Sequence, residues 1–472
     1  MATWNGVYVD YVTNYWVHSF VVMVWVFLAV ANFWYRPTVD GVSERVFLHH
    51  FTGMRCLAST GIVLKHFLGM GFGPDPTLYD TEERLAFLLK YGVGASGVCF
   101  FVTLSGFVTH YVYRASVDVD PIRIYYIKRL GRVLPTYYFG EALALLYVFP
   151  HAVNVICLIF QMNVWLWPFA PHTVRSAGGL NLPCWTIQAL FWHWVLYPFI
   201  AKVLKRWRNA YHPKTYSFLL LGVGITVIWG LITIVAAVWG QFALNVFNYP
   251  GQGTNWEGHF YMVFHSFPLF VLAPFLGGVI AAEVILTAKP ADHWTWRWMC
   301  DCTFVLWMLL LALQGLSLDT VFSDYNYMGL LAVLLFTSAI SDKSLVVRVT
   351  KHPVLVKLGD YSFHVYILQE PVFVCMATLR RLLGSTDFEY PQRLHVTQLM
   401  GMKPGPWFVN FFVLMVLAII TSDVLEAPWV SFLRRWAKEY AETLRQRKVQ
   451  QGLLENQSLT LPLKSPVETS RV

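Results

Sequence analysis

Long apolar runs, each closed by a short polar or basic stretch, recur along almost the whole chain. A helix needs roughly 20 mostly apolar residues to cross a bilayer. Runs of that kind lie near 16–35, 51–71, 93–113, 134–150, 152–168, 184–204, 217–239, 262–285, 301–318, 325–341, 361–379 and 405–425. The pattern predicts an all-α protein, a polytopic bundle of membrane helices. Basic clusters punctuate it at Arg123/Lys128/Arg129/Arg132, Lys202/Lys205/Arg206/Arg208, Lys343/Arg348/Lys351/Lys357 and Arg434/Arg435/Lys438. Lys and Arg collect in cytoplasmic loops. If these four clusters share that side, one outward crossing, 134–150, and one return, 184–204, separate the first two. The stretch 152–168 then lies in the interface or re-enters. Counting on from there gives about eleven spans, one N-terminal helix plus ten, with the N-terminus outside or lumenal and the C-terminus cytoplasmic.

Three parts follow: an N-terminal segment with an extra transmembrane helix (1–47), a membrane domain (48–430) and a cytoplasmic tail (431–472), amphipathic at first and then largely disordered for lack of an apolar run. Residues 1–15 hold no Lys or Arg and carry Asp10, so the basic start of a signal peptide is missing. Asn456-Gln457-Ser458 fits a glycosylation acceptor, but a cytoplasmic tail makes it a chance match.

Composition narrows the class. Of 472 residues, 56% are hydrophobic, 17% aromatic and only 13% charged, against about 25% charged in soluble domains. The mean hydropathy is +0.49. Disordered, fibrous and nucleic-acid-binding proteins are excluded, and the net charge of +8 reads as positive-inside bias. Cys56, Cys99, Cys157 and Cys375 sit in apolar runs, Cys300 and Cys302 are too close for a usual zinc pair, and no C-x2-C occurs. Neither a disulfide framework nor a metal site is expected.

Ionisable groups within apolar segments are costly and therefore candidates for function. Arg55 and His66 are eleven residues apart. On a helix that spacing puts them within about 20° of one face and about 16 Å apart along the axis. A guanidinium near the inner surface and an imidazole near mid-membrane would line one channel, and histidine is a natural general base near neutral pH. The alternative is a buried histidine bonded to a neighbouring helix. In Gly97-Val-Cys-Phe-Phe-Val-Thr103-Leu-Ser105-Gly106-Phe107, small residues allow close helix approach. In Tyr126-Ile-Lys128-Arg129-Leu-Gly-Arg132-Val-Leu-Pro135, Arg129 and Arg132 at i and i+3 can point the same way. Two such forks suit a phosphate or pyrophosphate, or else anchor the topology. Pro135 is expected in the first turn of the next span.

Together these blocks resemble acyltransferase family 3, integral-membrane enzymes with a ten-helix core that O-acylate sugars and other hydroxyl acceptors. Asn181-Leu-Pro-Cys-Trp185-Thr-Ile-Gln…Tyr197-Pro198, Leu358-Gly359-Asp-Tyr361-Ser362-Phe363-His-Val-Tyr366-Ile-Leu-Gln369-Glu370-Pro371 and Glu426-Ala-Pro428 are similar to further family blocks, in the same order. The resemblance spans roughly 48 to 430. It implies His66 as the catalytic histidine with Arg55 its partner, and Arg129 and Arg132 as contacts to acyl-CoA phosphates. Ser105, Trp185, Tyr361 and Ser362 stand at other motif positions. Leu190 and Gln369 replace a Glu and a His that many bacterial members carry; His193 and His364 are nearby histidines. The implied function is transfer of an acyl group, most simply acetyl, from acyl-CoA to a hydroxyl of a sugar, glycan or lipid acceptor, with no bound cofactor and no nucleic-acid partner. A multi-pass transporter using the same His and Arg as a relay, or a non-catalytic scaffold on this fold, are the rivals.

Overall fold

The computed structural model describes residues 20–35, 48–67, 94–148, 150–167, 179–224, 266–317, 327–383 and 404–460. Parts of the expected spans (16–19, 68–71, 225–239 and 262–265 among them) and the last tail residues, 461–472, lie outside the described residues. Within them, helix follows helix: α1 (20–35), α2 (His49–Phe67), α3 (Gly94–Val119), α4 (Ile122–Ala144), α5 (Ala152–Ile159), α6 (Asn163–Leu166), α7 (Trp185–Ala210), α8 (213–224), α9 (Pro268–Ala288), α10 (Trp294–Ser317), α11 (Met328–Ile340), α12 (Leu345–Thr350), α13 (Pro353–Asp360), α14 (Ser362–Leu382), α15 (Pro404–Ile420) and α16 (Ala427–Thr460). The fold is an all-α membrane bundle. Among the described residues, five stretches are long and apolar enough to cross a bilayer: Ser96–Asp118, Leu182–Ala210, Pro268–Ala288, Ser362–Arg380 and Phe408–Leu444. Phe20–Tyr35 and Met328–Ile340 are shorter apolar helices.

The ambiguous stretch 152–168 does not cross. An eight-residue helix is only about 12 Å long, far short of the roughly 30 Å of hydrocarbon. The α5–α6 pair instead folds onto its neighbours. Trp192 Nε1 donates to Gln161 O at 2.9 Å, and Tyr138 Oη donates to Ile159 O at 2.9 Å.

The tail, expected to be amphipathic at first and then largely disordered, is helical as far as Thr460, because Ala, Glu, Lys, Arg, Gln and Leu are strong helix formers and Leu433, Ala437 and Ala441 on one face are buried. One expectation is corrected. Pro135 is not in a first helical turn. It lies inside α4, which begins at Ile122.

Interior prolines turn out to organise the bundle. A helical proline has no N–H for the carbonyl four residues back, and in lipid a bare carbonyl is costly. Three of these carbonyls are taken by side chains from elsewhere in the chain. Behind Pro135, Gly131 O accepts from Trp429 Nε1 of α16 at 2.7 Å. Behind Pro198 of α7, Trp194 O accepts from Tyr125 Oη of α4 at 3.1 Å, and Tyr126 Oη reaches Val195 O at 2.8 Å. Behind Pro371 of α14, Ile367 O accepts from Asn181 Nδ2 at 2.8 Å. The first two proline sites are thus also helix–helix bonds, and the third ties α14 to the residue that precedes the turn into α7.

Glycines set the closest contacts. On α3 and α9 the relation is reciprocal: a Cβ on Gly106 would strike Phe275 O, and one on Gly278 would strike Thr103 O. Small residues of this kind let membrane helices approach backbone to backbone. The same holds for Gly53 of α2 against Thr350 O and for Gly359 of α13 against Thr52 O. The extra helix α1 packs beside this core, with Trp25 Nε1 donating to Thr303 Oγ1 of α10 at 2.8 Å and Phe33 5.5 Å from Phe218 of α8.

Candidate active site

Charged contacts draw one set of helix termini together. Arg208, near the end of α7, bonds Asp118 of α3 at 2.9 Å. The start of α2 meets α12 and α13 through Gly53 and Gly359. Arg123 of α4 lies 5.4 Å from the Tyr440 ring of α16. All four basic clusters of the sequence belong to this end of the bundle, here called the arginine end.

Arg129 of α4 points into the bundle. Its Nη2 donates to Ser105 Oγ of α3 at 3.0 Å, the same hydroxyl accepts from Trp194 Nε1 at 3.0 Å, and the guanidinium lies 4.5 Å above the Trp194 ring. Ser105 is thus more than a small packing residue: it fixes Arg129 and Trp194 together, while its neighbour Gly106 makes room for α9. Arg129 Nε finds no partner among the described residues.

Arg132 takes a different course. It is half exposed, 51%, and its Nε lies 3.5 Å from Glu426 Oε1 in the π-helical turn (Thr421–Glu426) that joins α15 to α16. The two arginines therefore do not share one set of partners, although i and i+3 spacing allows it. Glu426 Oε2 lies 2.7 Å from His364 Nε2 and accepts from Thr136 Oγ1 at 3.4 Å. Arg55 belongs to the same neighbourhood, where Arg132, Asp360, Glu426 and Arg129 are the charges that bear on it. Tyr361 Oη donates to Asp423 Oδ2 at 3.4 Å, and Ser362 Oγ donates to Gly359 O at 2.7 Å. So Arg55, Arg129, Arg132, Ser105, Tyr361 and Ser362, scattered over 308 positions of sequence from 55 to 362, gather at one end of the bundle.

Trp185 stands apart. It is buried as the first residue of α7, where the adjacent Thr186 Oγ1 lies 2.8 Å from Tyr366 Oη of α14. His66 lies in the last turn of α2; its side chain is outside the described residues. The backbone register still places it. α2 and α14 run parallel, Thr52 meeting Gly359 just before α14 and Val63 sharing a cluster with Val365, Leu368 and Val372. At about 1.5 Å per residue on both helices, the fourteen residues from Thr52 to His66 carry to the level of Phe373, about one turn beyond Gln369 and Glu370.

The two substituted positions have ordinary roles. Leu190 packs in a buried cluster with Trp194 and Tyr197, and Gln369 Nε2 donates to Tyr366 O of its own helix at 2.8 Å. His193 does not face either of them: it is bonded to Pro268 O of α9 at 2.8 Å.

Sequence reasoning missed a buried hub. Glu283, fully buried in α9, lies 2.6 Å from His110 Nε2 and 3.2 Å from Arg114 Nη1, both of α3, and 3.0 Å from Arg208 Nη1 of α7. It also accepts from Tyr216 Oη of α8 at 3.0 Å, and Tyr197 Oη lies 3.1 Å from His110 Nδ1. A lone glutamate in Gly277-Gly-Val-Ile-Ala-Ala-Glu283-Val-Ile-Leu was signal enough, since an acid in an apolar run needs a partner.

Fold and site together define a class: a polytopic helical membrane protein with arginines drawn into one end of its interior and a histidine farther along one of the same helices. A family model described as an acyltransferase domain matches residues 48–427, most of the chain, and the protein belongs to that family, acyltransferase family 3. It is an acyltransferase that transfers groups other than aminoacyl groups, which sets the transporter reading aside. No curated protein and no solved structure matches it.

Proposed function

We propose that this acyltransferase moves an acyl group, most simply acetyl, from acyl-CoA to a hydroxyl of a sugar, glycan or lipid acceptor. The observation that carries the reading is the gathering of Arg55, Arg129 and Arg132 at one end of a bundle whose helix α2 also holds His66. Donor phosphates dock on Arg129 and Arg132. Arg129 suits this role because Ser105 and Trp194 hold its guanidinium in place while its Nε has no partner among the described residues, and a fixed fork binds phosphate oxygens well. Glu426 orients Arg132. The thioester end extends along the Arg55–His66 face of α2.

His66 acts as general base. It takes the proton from the acceptor hydroxyl as that oxygen bonds to the thioester carbon; the carbon–sulfur bond breaks, and the departing thiolate of coenzyme A recovers the proton from the imidazolium. Help of this kind is worth about 10²–10⁴ in rate, and holding both substrates in a dry site adds to it. The arginine end and the C-terminus face the cytoplasm, the N-terminus lies outside or in a lumen, and the acceptor enters from that far side.

Coenzyme A release from acetyl-CoA by the purified full chain, with candidate hydroxyl acceptors, tests the reaction. Transfer with none of the sugar, glycan or lipid acceptors would end the reading. Cysteine-accessibility labelling from outside intact cells should miss the loops of Arg129 and Arg206 and the tail; labelling at any of the three would reverse the sidedness.

A further inference from the structure

His364 of α14 has no part in the reaction above, yet it lies against the carboxylate that orients Arg132. Its side chain is 2% exposed, and Nε2 lies 2.7 Å from Glu426 Oε2. Nδ1 has no hydrogen-bond partner among the described residues. Close by on α14, Val365 and Leu368 belong to a buried apolar cluster with Val63 of α2. A polar ring in such a place is costly unless it is paired, and Glu426 is the partner at hand.

Glu426 divides its two oxygens. Oε2 faces His364 and accepts from Thr136 Oγ1 at 3.4 Å, whereas Oε1 faces Arg132 Nε at 3.5 Å. Exposure grows along this row, from 2% at His364 through 12% at Glu426 to 51% at Arg132. Packing fixes the buried end, while the outer end has rotamers to lose when it meets a ligand. The turn that carries Glu426 is fastened to the start of α14 twice. Asp423 Oδ2 accepts from Tyr361 Oη at 3.4 Å, and Glu426 meets His364. The spacing matches on both sides, 361 and 364 against 423 and 426. Widened, π-helical turns of this sort are frequent at functional sites, and here the turn presents Glu426 to α4.

A carboxylate held at one oxygen from the inside presents the other in a set direction. We propose that His364 is a positioning residue for the acyl donor: through Glu426 it holds the Arg132 guanidinium where a donor phosphate meets it. The inference rests on the donor reading above, in which Arg132 contacts phosphate, and adds a residue that touches no substrate. An Nε2–H beside Glu426 exists in the protonated ring and in one of the two neutral tautomers, so the arrangement holds in either charge state of the imidazole. Arg129 is outside this row. Ser105 and Trp194 fix it, so the two arginines are set by different neighbours and should respond to different substitutions.

The experiment is calorimetric titration of coenzyme A into the full chain in nanodiscs. Coenzyme A carries every phosphate of the donor and needs no acceptor. His364→Leu should weaken its affinity by about three- to tenfold, as expected when one rotamer-rich side chain must be ordered on binding. His364→Gln should return affinity to within about twofold of wild type, because its amide N–H can stand where Nε2–H stood. His364→Asn should not, since its shorter amide ends near the position of Nδ1. A double-mutant cycle separates positioning from a structural role. On an Arg132→Ala background His364→Leu should cost no further affinity; on Arg129→Ala it should cost its full factor. Equal losses on both backgrounds would make His364 merely structural and overturn the proposal. So would wild-type affinity in His364→Leu, or asparagine rescuing as well as glutamine. If the leucine variant does not fold, the glutamine and asparagine variants carry the same comparison. A wild type that binds no coenzyme A ends the donor reading and this inference with it. Binding that falls with Arg132→Ala but not with His364→Leu ends this inference alone.

Discussion

Two carboxylates sit inside apolar helices of this bundle and are used in opposite ways. Glu283 spends both oxygens on a histidine, two arginines and a tyrosine from three other helices, and its charge is answered on every side. Glu141 spends one oxygen on two backbone N–H groups, and the other, like several atoms of its amide neighbours, has no hydrogen-bond partner among the described residues. A fully connected polar cluster rigidifies what it joins, whereas a partly connected one is costly unless something else completes it. Saturation therefore separates a carboxylate that joins several helices from one that is only partly bonded among the described residues. The arginine end falls between them: Arg129 is fixed by Ser105 and Trp194, yet its Nε has no partner among the described residues.

The contrast can be broken most decisively at His66. His66→Gln should reduce turnover by about 10²–10⁴ with the protein still folded and still binding acyl-CoA, because glutamine keeps a hydrogen bond but is no base. Near-normal turnover in a kinetic assay would make His66 a packing residue and move the chemistry elsewhere. At the saturated hub the effect should fall on stability instead. Glu283→Leu removes the carboxylate partner of His110 and Arg114 and leaves Arg208 with Asp118 alone, and loss of one partner of a buried pair costs about 3–5 kcal/mol; a denaturation curve matching wild type would deny the hub its structural role. Next comes the arginine end. Arg129→Ala should raise the apparent KM for acyl-CoA, not for the acceptor, by an amount equivalent to about 1.5–3 kcal/mol, with lysine rescuing only in part. Arg132→Ala should do the same more weakly, because that side chain is half exposed. If both alanine variants keep wild-type donor affinity, the pair are topology anchors. The smallest change belongs to a site remote from both carboxylates: Trp429→Phe frees Gly131 O where solvent and lipid headgroups can reach it, for about 1 kcal/mol, read as a lower Tm with unchanged kinetics.

Most of the helices were legible because a spanning segment announces itself by length and hydropathy alone, as Pro268–Ala288 and Ser362–Leu382 do. The arginine end was legible as residues, through Arg129, Arg132 and Ser105, but not as geometry. Spacing of i and i+3 says that two side chains share a helix face; it does not say that Ser105, 24 positions earlier, turns one inward and Glu426 draws the other away. The hub and the Glu141 group were missed for the same reason. Glu283 finds His110 at a separation of 173 residues, and Glu141 meets Asn181 across 40. No local periodicity joins such positions, and only the single acid in each apolar run betrays them. In the tail, low hydropathy removes a reason to bury a segment, not its capacity to be helical.

The proline-freed carbonyls carry a consequence for biosynthesis. A ribosome delivers the chain to the membrane from its N-terminus, so the acceptor and the donor of each bond arrive at different times. Tyr125 precedes the carbonyl of Trp194 by 69 residues and is already in place when that kink enters. Gly131 waits 298 residues for Trp429. Until Trp429 is made, α4 holds a carbonyl at Gly131 whose eventual donor does not yet exist, and water or a headgroup at the interface must occupy it. A late helix, α16, thus seals an early one, and a chain truncated before Trp429 would leave α4 inserted but open at Gly131 beside its basic cluster.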